Sequence, residues 1–493
     1  MPKLLRLLIF AGCVAGFLES KPPKFVVTQE IETALDSIRA DSLRGELSFL
    51  SSDLLEGRST PSRGLDLAAA YIASQFRAAG LEPGGQDGYF QTAHLLVLRT
   101  DLTGFAMNLA AGEKTLAVQP PEARVVASTP IDLEKAPVFK LDLSDAAQVQ
   151  ALTAAEIAGK VVLFDMSRNG MRNYRVATQK LREFKPAAVL LVDGNAALED
   201  PSTDRLVDPQ DRAAAGTPRI TLTGKSASEF FAALKPGLNG GTASIHIAAP
   251  LEIPARASNV IGVLRGSDPA LKDTAVLVTA HYDHLGELAS GSGDRIFNGA
   301  NDDGSGTVSV VELARALSTL KQHPRRSIIF MTFFGEEKGL VGSRYYAKHP
   351  AWPIAKTIAD VNLEQVGRTD SSEGPQLANA SVTGFDYSEV TDYLRAAGEL
   401  TGIKVYKHPK NDDAYFAASD NLSLAEAGVP SHTLCVAFEF PDYHAVGDEW
   451  QKVNYENMAK VDRAVGLGLV MLADSDEAPH WNTTNPRTAR FRK

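Results

Sequence analysis

Residues 275–286 read AVLVTAHYDHLG, and the change of character within this stretch decides the fold class. Ala275–Ala280 is an almost wholly apolar run, which is typical of a strand that is buried on both faces of a parallel sheet. The polar residues His281-Tyr282-Asp283-His284 follow at once. Because open α/β sheets bind ligands beyond the carboxyl ends of their strands, a functional site is expected directly after this strand.

The chain after this stretch alternates helices and strands. The expected helices and buried strands are, in chain order, Thr307–Leu320 (helix), Ser327–Phe334 (strand), Gly342–Lys348 (helix), Thr357–Leu363 (strand), Ser431–Phe438 (strand) and Asn454–Leu472 (helix). Helices that connect parallel strands lie on the faces of the sheet. The sequence therefore predicts an α/β domain with a central, mostly parallel sheet flanked by helices.

Acidic and histidine residues stand at the end of each predicted strand. In chain order they are His281 after the first strand, Asp302 before the next helix, Glu336-Glu337 after the second strand, Glu364 after the third, and Asp442-Tyr443-His444 after the fourth. We expect these side chains to meet, because parallel strands end at the same edge of a sheet. Carboxylates and imidazoles are ligands suited to zinc, and without a metal the clustered carboxylates should raise each other's pKa.

Composition limits the classes of function. The chain has 493 residues and a net charge of -10, so it has no basic domain of the kind that binds nucleic acid. Two cysteines, Cys13 and Cys435, cannot form a disulfide scaffold, and Cys435 lies in an apolar run where we expect an inert buried thiol. No segment beyond the N-terminal leader is long and apolar enough to span a bilayer.

Shifts in composition predict the domain organisation. Residues 25–94 are expected to be a helical N-terminal part of the main domain, and residues 95–255 a separate β-rich insert of short apolar runs broken by Pro, Gly and Asp. Residues 256–475 hold the strand-end motifs and are expected to form the larger part of the main domain. Residues 476–493 form a polar tail that we expect to be loosely ordered.

Residues 1–24 have the features of a leader. Lys3 and Arg6 precede the apolar run Leu7–Leu18, which is too short for a membrane span. We therefore expect a signal peptide and an exported protein, periplasmic or extracellular. Phe10-Ala11-Gly12-Cys13 also resembles a lipoprotein processing site, so a lipid anchor at Cys13 is the alternative interpretation.

The five motifs, in this order and at strand ends, resemble those of the secreted di-zinc aminopeptidase family. Its relatives include glutamate carboxypeptidases, glutaminyl cyclases and the transferrin receptor ectodomain. Leu47–Arg58 (LSFLSSDLLEGR) resembles the N-terminal signature of the family, and the insert 95–255 resembles a protease-associated domain. The resemblance covers most of the chain and implies the three-layer zinc-exopeptidase fold.

The resemblance implies a site with two zinc ions per chain. Asp302 would bridge the two ions. His281 and Glu364 would complete one metal position, and Glu337 and His444 the other. The three carboxylates would leave a net charge of +1 on the metal pair, which one hydroxide would cancel.

The resemblance also implies three catalytic roles. Glu336 would be the general base, Asp283 would hold the second imidazole nitrogen of His281, and Tyr443 would steady the oxyanion. The neighbouring His284 is interpreted as a structural residue or as one that supports the ligands.

Two positions depart from the family pattern. Glu364 stands where many members have Asp, which could alter the affinity or geometry at that metal position. Asn421 stands where His is common, and Asp420 beside it is expected to support the ligands at most.

These resemblances predict a zinc-dependent exopeptidase. We expect an aminopeptidase that hydrolyses N-terminal residues from peptides through a metal-bound hydroxide, because an acidic pocket favours a cationic N-terminus and no arginine cluster accompanies the motifs. A carboxypeptidase, a glutaminyl cyclase with a single zinc and a catalytically inactive binding protein remain as alternatives. The expected partners are peptides with a free N-terminus, and these residues predict neither side-chain specificity nor oligomeric state.

Overall fold

The structure is a computed structural model that describes residues 25–165, 171–193, 204–210, 216–372 and 376–493. The predicted leader 1–24, with Cys13, lies outside the described residues. Among the helices of the described ranges, none combines the length and the apolar character that a membrane crossing requires.

The strands of the described chain fall into two large sheets and one small hairpin. In chain order they are β1 (Glu82–Pro83), β2 (Phe90–Arg99), β3 (Ala106–Ala111), β4 (Lys114–Val118), β5 (Ala123–Val126), β6 (Ile131–Lys140), β7 (Val161–Asp165), β8 (Ala188–Val192), β9 (Arg205–Val207), β10 (Arg219–Leu222), β11 (Gly237–Ile247), β12 (Leu251–Leu264), β13 (Ala275–His281), β14 (Gly286–Glu287), β15 (Ile296–Phe297), β16 (Ser327–Phe333), β17 (Thr357–Glu364), β18 (Asn379–Val382), β19 (Lys404–Tyr406) and β20 (Ser431–Cys435).

The helices cover both the N-terminal part and the connections between strands. They are α1 (Gln29–Asp36), α2 (Ala40–Leu50), α3 (Arg63–Ala78), α4 (Ala146–Ala151), α5 (Ala154–Ile157), α6 (Met171–Phe184), α7 (Lys225–Ala233), α8 (Gly306–Leu317), α9 (Val341–Lys348), α10 (Val390–Thr401), α11 (Asp412–Tyr415), α12 (Asn421–Ala427) and α13 (Tyr455–Ala473).

The main sheet has the strand order β19-β18-β20-β17-β13-β16-β12-β2-β9, with β1 beside β12. Its centre is parallel, since β13 pairs with β16 and β17, and β17 pairs with β20, all in the parallel sense. The flanking pairs β12–β16 and β18–β20 are antiparallel. The predicted α/β class and parallel centre are confirmed, although the sheet as a whole is mixed.

Helices pack on both faces of this sheet. Along β13, Val276 and Val278 point into the core formed with α2, α8 and α13. The alternate residue Leu277 packs on the other face against Tyr346 and Leu424, from α9 and α12. Successive side chains of a strand point to opposite faces, so an uninterrupted apolar strand requires cover on both sides. The main domain therefore has three layers.

The second sheet has the order β4-β3-β11-β6-β7-β8-β10-β5 and lies within residues 106–247. The long strands β2 and β12 pair with each other along their length in the main sheet. The second sheet is therefore shorter than the 95–255 range expected from composition, because alternating apolar residues do not reveal which sheet a strand joins. The division into domains stays a prediction.

The polar C-terminal tail differs from the expectation. Trp481 and Phe491 are buried and stack on each other with ring centroids 5.3 Å apart. Phe491 also contacts Phe416, and the backbone of Trp481 bridges to Ser388. The prediction of a loosely ordered tail is wrong, because two aromatic side chains anchor an otherwise polar segment to the main domain.

Candidate metal centre

The first group of candidate ligands joins the ends of two neighbouring parallel strands. His281 ends β13, Glu364 ends β17, and Asp302 lies in the turn before α8. His281 Nε2 lies 3.4 Å from Asp302 Oδ1 and 3.5 Å from Glu364 Oε1. Atoms that bind one zinc ion tetrahedrally at about 2 Å lie about 3.3 Å apart. The three buried side chains therefore have the spacing of a metal site.

The second oxygen of Asp302 faces a different histidine. His444 Nε2 lies 3.1 Å from Asp302 Oδ2 and 3.3 Å from Glu337 Oε1. One carboxylate thus stands between two imidazoles, with Oδ1 toward His281 and Oδ2 toward His444. This geometry allows Asp302 to bridge two ions.

The structure adds His284 to the residues around the second position. Its Nδ1 lies 2.9 Å from Glu337 Oε1, and its ring is fully buried. His284, Asp302 and Glu337 together have ligand spacing. The sequence predicts a structural or supporting role for His284, because a place three residues after His281 does not show which way the ring points. The only sequence signal was its position in the same strand-end motif.

Several buried polar atoms of this cluster lie close to one another but form no hydrogen bond of acceptable geometry within the described part of the chain. They are Asp302 Oδ2, Glu337 Oε1 and both ring nitrogens of His284. A buried carboxylate oxygen without a partner is costly, and a cation between these atoms would supply the missing interaction. Imidazole and carboxylate donors match the preferences of zinc. The residues therefore fit a divalent metal.

Two further carboxylates fix the backbone of the Asp302 turn. Asp448 accepts hydrogen bonds from the backbone N–H groups of Asn301 and Asp302, all at 3.0 Å. Asp303 accepts from the backbone N–H groups at the ends of β13 and β17, at 3.3 and 3.1 Å. The turn is therefore tied to both strands that supply the first ligand group.

Asp283 contacts both His281 and the segment that carries Glu336. Its Oδ1 lies 3.5 Å from His281 Nδ1, and its backbone oxygen lies 3.2 Å from the same nitrogen. The same Oδ1 accepts a 3.0 Å hydrogen bond from the backbone N–H of Glu336. Asp283 therefore lies where it can orient the imidazole. Tyr443 stacks on His444 with centroids 4.0 Å apart and remains 45% exposed.

The departures from the family pattern have a structural setting. Ser419 donates a 2.6 Å hydrogen bond to Oε1 of Glu364, which fixes the longer carboxylate. Asn421 is fully buried, where its amide donates to the backbone oxygen of Phe416 and accepts from the Thr433 hydroxyl. Asn421 therefore has a structural role in this fold.

Arg58 binds the backbone of segments that lie next to the candidate metal centre. This arginine is fully buried, and its guanidinium donates to the backbone oxygens of Leu50, Tyr282, Asn298 and Gly299 at 2.7–2.9 Å. Burial lowers the pKa of Arg58 to about 10, while the nearby acidic residues act in the opposite direction. The sequence marked Arg58 as the end of a signature, and only the fold shows that it joins three segments around the site.

Burial raises the pKa of the carboxyl groups in this cluster, whereas contacts with histidines lower it. Burial raises the pKa of Glu364 to about 8 and raises that of Glu336 well above its usual range. Burial also acts on Glu337, but contacts with His284 and His444 outweigh it and lower the pKa to about 2. Asp302 does raise the pKa of Glu337, as expected for clustered carboxylates, but the two histidine contacts outweigh this effect and the net shift of Glu337 is downward.

Comparison with known proteins identifies the domain that holds this site. Residues 259–467 match the sequence model of peptidase family M28. This region is a peptidase family M28 domain. All of the candidate ligands, from His281 to His444, lie inside the M28 domain.

Similar proteins are peptidases by name. A probable zinc metalloprotease of Leptosphaeria maculans is 39% identical over 129 residues, which are 26% of this chain and 28% of that protein. Aminopeptidase YwaD of Bacillus subtilis is 26% identical over 227 residues, 45% of this chain and 46% of that protein. The chain thus matches less than half the length of either relative.

A solved structure shares the fold over most of the chain. The aminopeptidase from Aneurinibacillus sp. strain AM-1 superposes with a TM-score of 0.58 and 21% identity, covering 91% of this chain and 97% of that one. At this identity the likeness concerns the fold, and it confirms the α/β architecture around the M28 domain.

The exported location expected from the leader is wrong. A relative from Aspergillus clavatus, 32% identical over 183 residues, 31% of this chain and 18% of that protein, is named a vacuolar membrane protease. The location in the name of that relative is the vacuolar membrane, which disagrees with the periplasmic or extracellular location expected here. The physical reason is that an apolar leader marks entry to a targeting route and does not encode the final compartment.

Proposed function

We propose that this chain is a zinc-dependent aminopeptidase that removes N-terminal residues from peptides. The observation that carries the proposal is the placement of the buried Asp302, whose two oxygens face the buried His281 on one side and the partly exposed His444 on the other. The M28 domain around this cluster and the names of similar proteins support the activity.

Two zinc ions are proposed per chain. His281, Asp302 and Glu364 would hold one ion, and Asp302, Glu337 and His444 the other. Zinc in such sites polarises a carbonyl group and lowers the pKa of water toward neutrality. Three carboxylates against two divalent ions leave a small net charge, which makes this cluster tolerable inside the protein.

The remaining residues orient groups and move protons. The Glu336 carboxylate takes a proton from the attacking water and delivers it to the nitrogen of the leaving group. Asp283 fixes His281 through Nδ1 and the Glu336 backbone through its N–H. Tyr443, whose side chain is partly exposed, would donate its hydroxyl hydrogen to the oxyanion as it forms.

The charges around the site favour a free amino terminus. Beyond the three carboxylates that zinc would neutralise, Glu336 and Asp420 place further carboxyl groups next to the cluster, and negative charge there attracts an ammonium group and repels a substrate carboxylate. Arg368 follows the Glu364 loop, but its guanidinium is buried and paired with Asp370 and Asp442 at 2.6 and 2.9 Å. Arg368 is therefore not available to bind the carboxylate of a substrate. A carboxypeptidase would need a cation for that carboxylate.

The proposal also covers the identity of the β-rich insert and the processing of the N-terminal leader. We propose that residues 95–255, with the second sheet at 106–247, are a protease-associated domain beside the M28 domain. A cleaved leader over residues 1–24, or lipid attachment at Cys13, remains a prediction from the sequence. Mass spectrometry of the purified protein would show the mature N-terminus.

The test combines metal content with hydrolysis by the full chain. Leucine p-nitroanilide and its N-acetylated form would be offered to the wild type, to Glu336→Gln and to Glu399→Gln, a matched control on the exposed side of α10. We expect about two zinc per chain and cleavage of the free-amine substrate alone, lost in Glu336→Gln and kept in Glu399→Gln. Cleavage of acylated peptides from the carboxyl end, or cyclisation of N-terminal glutamine with about one zinc, would contradict the proposal.

A further inference from the structure

A large cleft lies beside the M28 domain, between the second sheet and helix α9. Its volume is about 660 Å³. One wall comes from α6, β8 and β10, and the other from β9 and the segment 338–348 that contains α9. A volume of this size accommodates several peptide residues, since pockets for small organic ligands occupy about 300–1,000 Å³.

The walls of this cleft are strongly basic. The second sheet contributes Arg182, Lys185 and Arg219. The opposite wall contributes the positively charged residues Arg205, Lys338, Arg344 and Lys348. Asp208 is the one acidic residue among the described lining residues. The cleft contrasts with the chain as a whole, whose net charge is -10.

The arginines of the cleft repel one another. Burial and the charges of Arg219, Arg182 and Arg344 lower the pKa of Arg205. Within the described part of the chain, none of these four arginines forms an ion pair with a carboxylate. Like charges brought together without partners are unfavourable, and an anionic ligand between them would remove the repulsion.

The cleft begins next to the proposed catalytic residues. Lys338, which lines it, directly follows Glu336-Glu337 in the chain. A tight turn fixes this segment, because the backbone N–H groups of Gly339 and Leu340 donate hydrogen bonds to the backbone oxygen of Glu336 at 2.8 and 2.9 Å. Neighbouring Cα atoms are about 3.8 Å apart, so one turn supplies both the metal centre and the cleft wall.

We propose that this cleft binds the acidic side chains of peptide substrates, at positions beyond the cleaved N-terminal residue. The inference rests on the proposed aminopeptidase function and names the substrate class of the same site. A peptide extends about 3.3 Å per residue, so residues a few positions after the scissile bond can reach the cleft. Such substrates would be peptides rich in Asp and Glu after their first residues.

The lining favours a peptide over other anions. Tyr174, Leu181, Leu206 and Tyr345 add apolar and aromatic surface between the cations. A peptide offers both carboxylates and apolar groups to such a lining, whereas an inorganic anion uses only the charges. The negative charge of the whole chain opposes nucleic acid.

The test compares two peptides with the same first three residues and an amidated carboxyl end. One carries Glu at the following positions and the other carries Gln, so that only side-chain carboxylates differ. We expect about a tenfold higher kcat/KM for the Glu peptide at low salt, and loss of the preference in high salt. Free-acid versions of both peptides would show whether a terminal carboxylate can replace the side chains.

Charge variants assign the preference to the cleft. Arg182→Gln/Arg219→Gln removes two exposed cations of the cleft, and the Glu/Gln ratio should fall to about one through a higher KM for the Glu peptide. Lys114→Gln/Lys225→Gln removes two exposed cations elsewhere on the same part of the chain and should keep the ratio. Thermal unfolding of both variants controls for folding.

The outcomes separate this inference from the proposed function. Equal rates for the two peptides, with leucine p-nitroanilide still cleaved, would overturn the cleft assignment and leave the aminopeptidase intact. Failure to cleave the small substrate would overturn the proposed function and this inference together. Displacement of a labelled Glu peptide by an oligonucleotide at lower concentration than by unlabelled peptide would identify a nucleic-acid site and refute the proposal.

Discussion

Arg58 Nε donates a 2.8 Å hydrogen bond to the backbone oxygen of Tyr282, between two residues that are 224 positions apart. Tyr282 directly follows the candidate ligand His281 at the end of β13. The same guanidinium reaches the backbone of Asn298 and Gly299, just before the Asp302 turn. A single buried cation thus connects two ligand-bearing segments, which suggests that it sets their separation.

Replacement of Arg58 should therefore destabilise the whole domain. Arg58→Gln leaves backbone oxygens without donors in a buried place, and we expect a loss of about 3–5 kcal/mol in the free energy of unfolding, measured by urea denaturation. Arg58→Lys keeps the charge without the planar fork and should lose less. The matched control Arg63→Gln, at a side chain that is 75% exposed, should change stability by less than about 0.5 kcal/mol. Equal stabilities for the Arg58 and Arg63 variants would contradict this account.

The position of Asp302 between two histidines predicts a distinctive pattern of metal loss. Asp302→Asn should weaken both metal positions, because each uses one of its oxygens. Glu364→Gln should weaken only the position shared with His281. Elemental analysis after dialysis, with circular dichroism as the control for folding, would distinguish the two variants. Loss of a single ion in Asp302→Asn would show that this carboxylate does not bridge.

The hydrogen bond from Ser419 predicts a smaller effect on the same position. Ser419→Ala removes the 2.6 Å donor to Glu364, and loss of such a supporting contact typically costs about tenfold in metal affinity. Competition with a zinc chelator would measure the change. Ser423→Ala is the control, since its hydroxyl contacts Ser343. A chelator midpoint that is the same in both variants would argue against a role for Ser419.

Asp462 predicts a dependence of stability on pH. This carboxyl is buried in α13, and burial raises its pKa to about 8, with Glu312 raising and Arg463 lowering it. Because the folded-state pKa lies above the unfolded value near 4, the stabilising contribution is complete below about pH 4 and is lost as the pH rises toward about 8. The slope is at most about 1.4 kcal/mol per pH unit for one proton.

Asp462→Asn should flatten this dependence. Thermal unfolding between pH 5 and pH 8 should show a smaller fall in stability for the variant than for the wild type, with a gain over the wild type at the alkaline end. Asp273→Asn, at an exposed carboxylate, provides the charge-matched control. A parallel pH profile for Asp462→Asn and the wild type would refute the assignment.

The ordered tail makes a prediction of its own. Phe491 is 1% exposed and packs against Phe416 and Trp481. Phe491→Ala should lower the free energy of unfolding by about 3 kcal/mol, the usual cost of truncating a buried phenylalanine. Arg492→Ala beside it should have little effect. A loosely ordered tail would instead make both variants behave like the wild type in thermal unfolding.

Local periodicity predicted most of the elements of the M28 domain. Strands β13, β16 and β17 lie within a residue or two of the expected bounds, because a strand buried on both faces needs an apolar side chain at nearly every position. The fourth expected strand, Ser431–Phe438, ends at Cys435. Phe438 is nevertheless buried, so apolar character shows burial without showing strand pairing.

The sequence by itself determined the α/β class and brought His281, Asp302, Glu337, Glu364 and His444 forward as one candidate site, since residues after parallel strands share one edge of a sheet. Only the tertiary structure decided how the oxygens of Asp302 divide between two histidines and that His284 reaches Glu337.

Tertiary structure alone likewise placed Arg58 next to the site and brought together the segments that line the basic cleft, which lie far apart in the chain. The physical reason is the separation along the chain between the residues that interact. Strand and helix patterns are local and repeat within a few residues, whereas these contacts join residues far apart in the chain. These contacts form only after packing has fixed the backbone and has offset the entropic cost of closing the long loops between the residues.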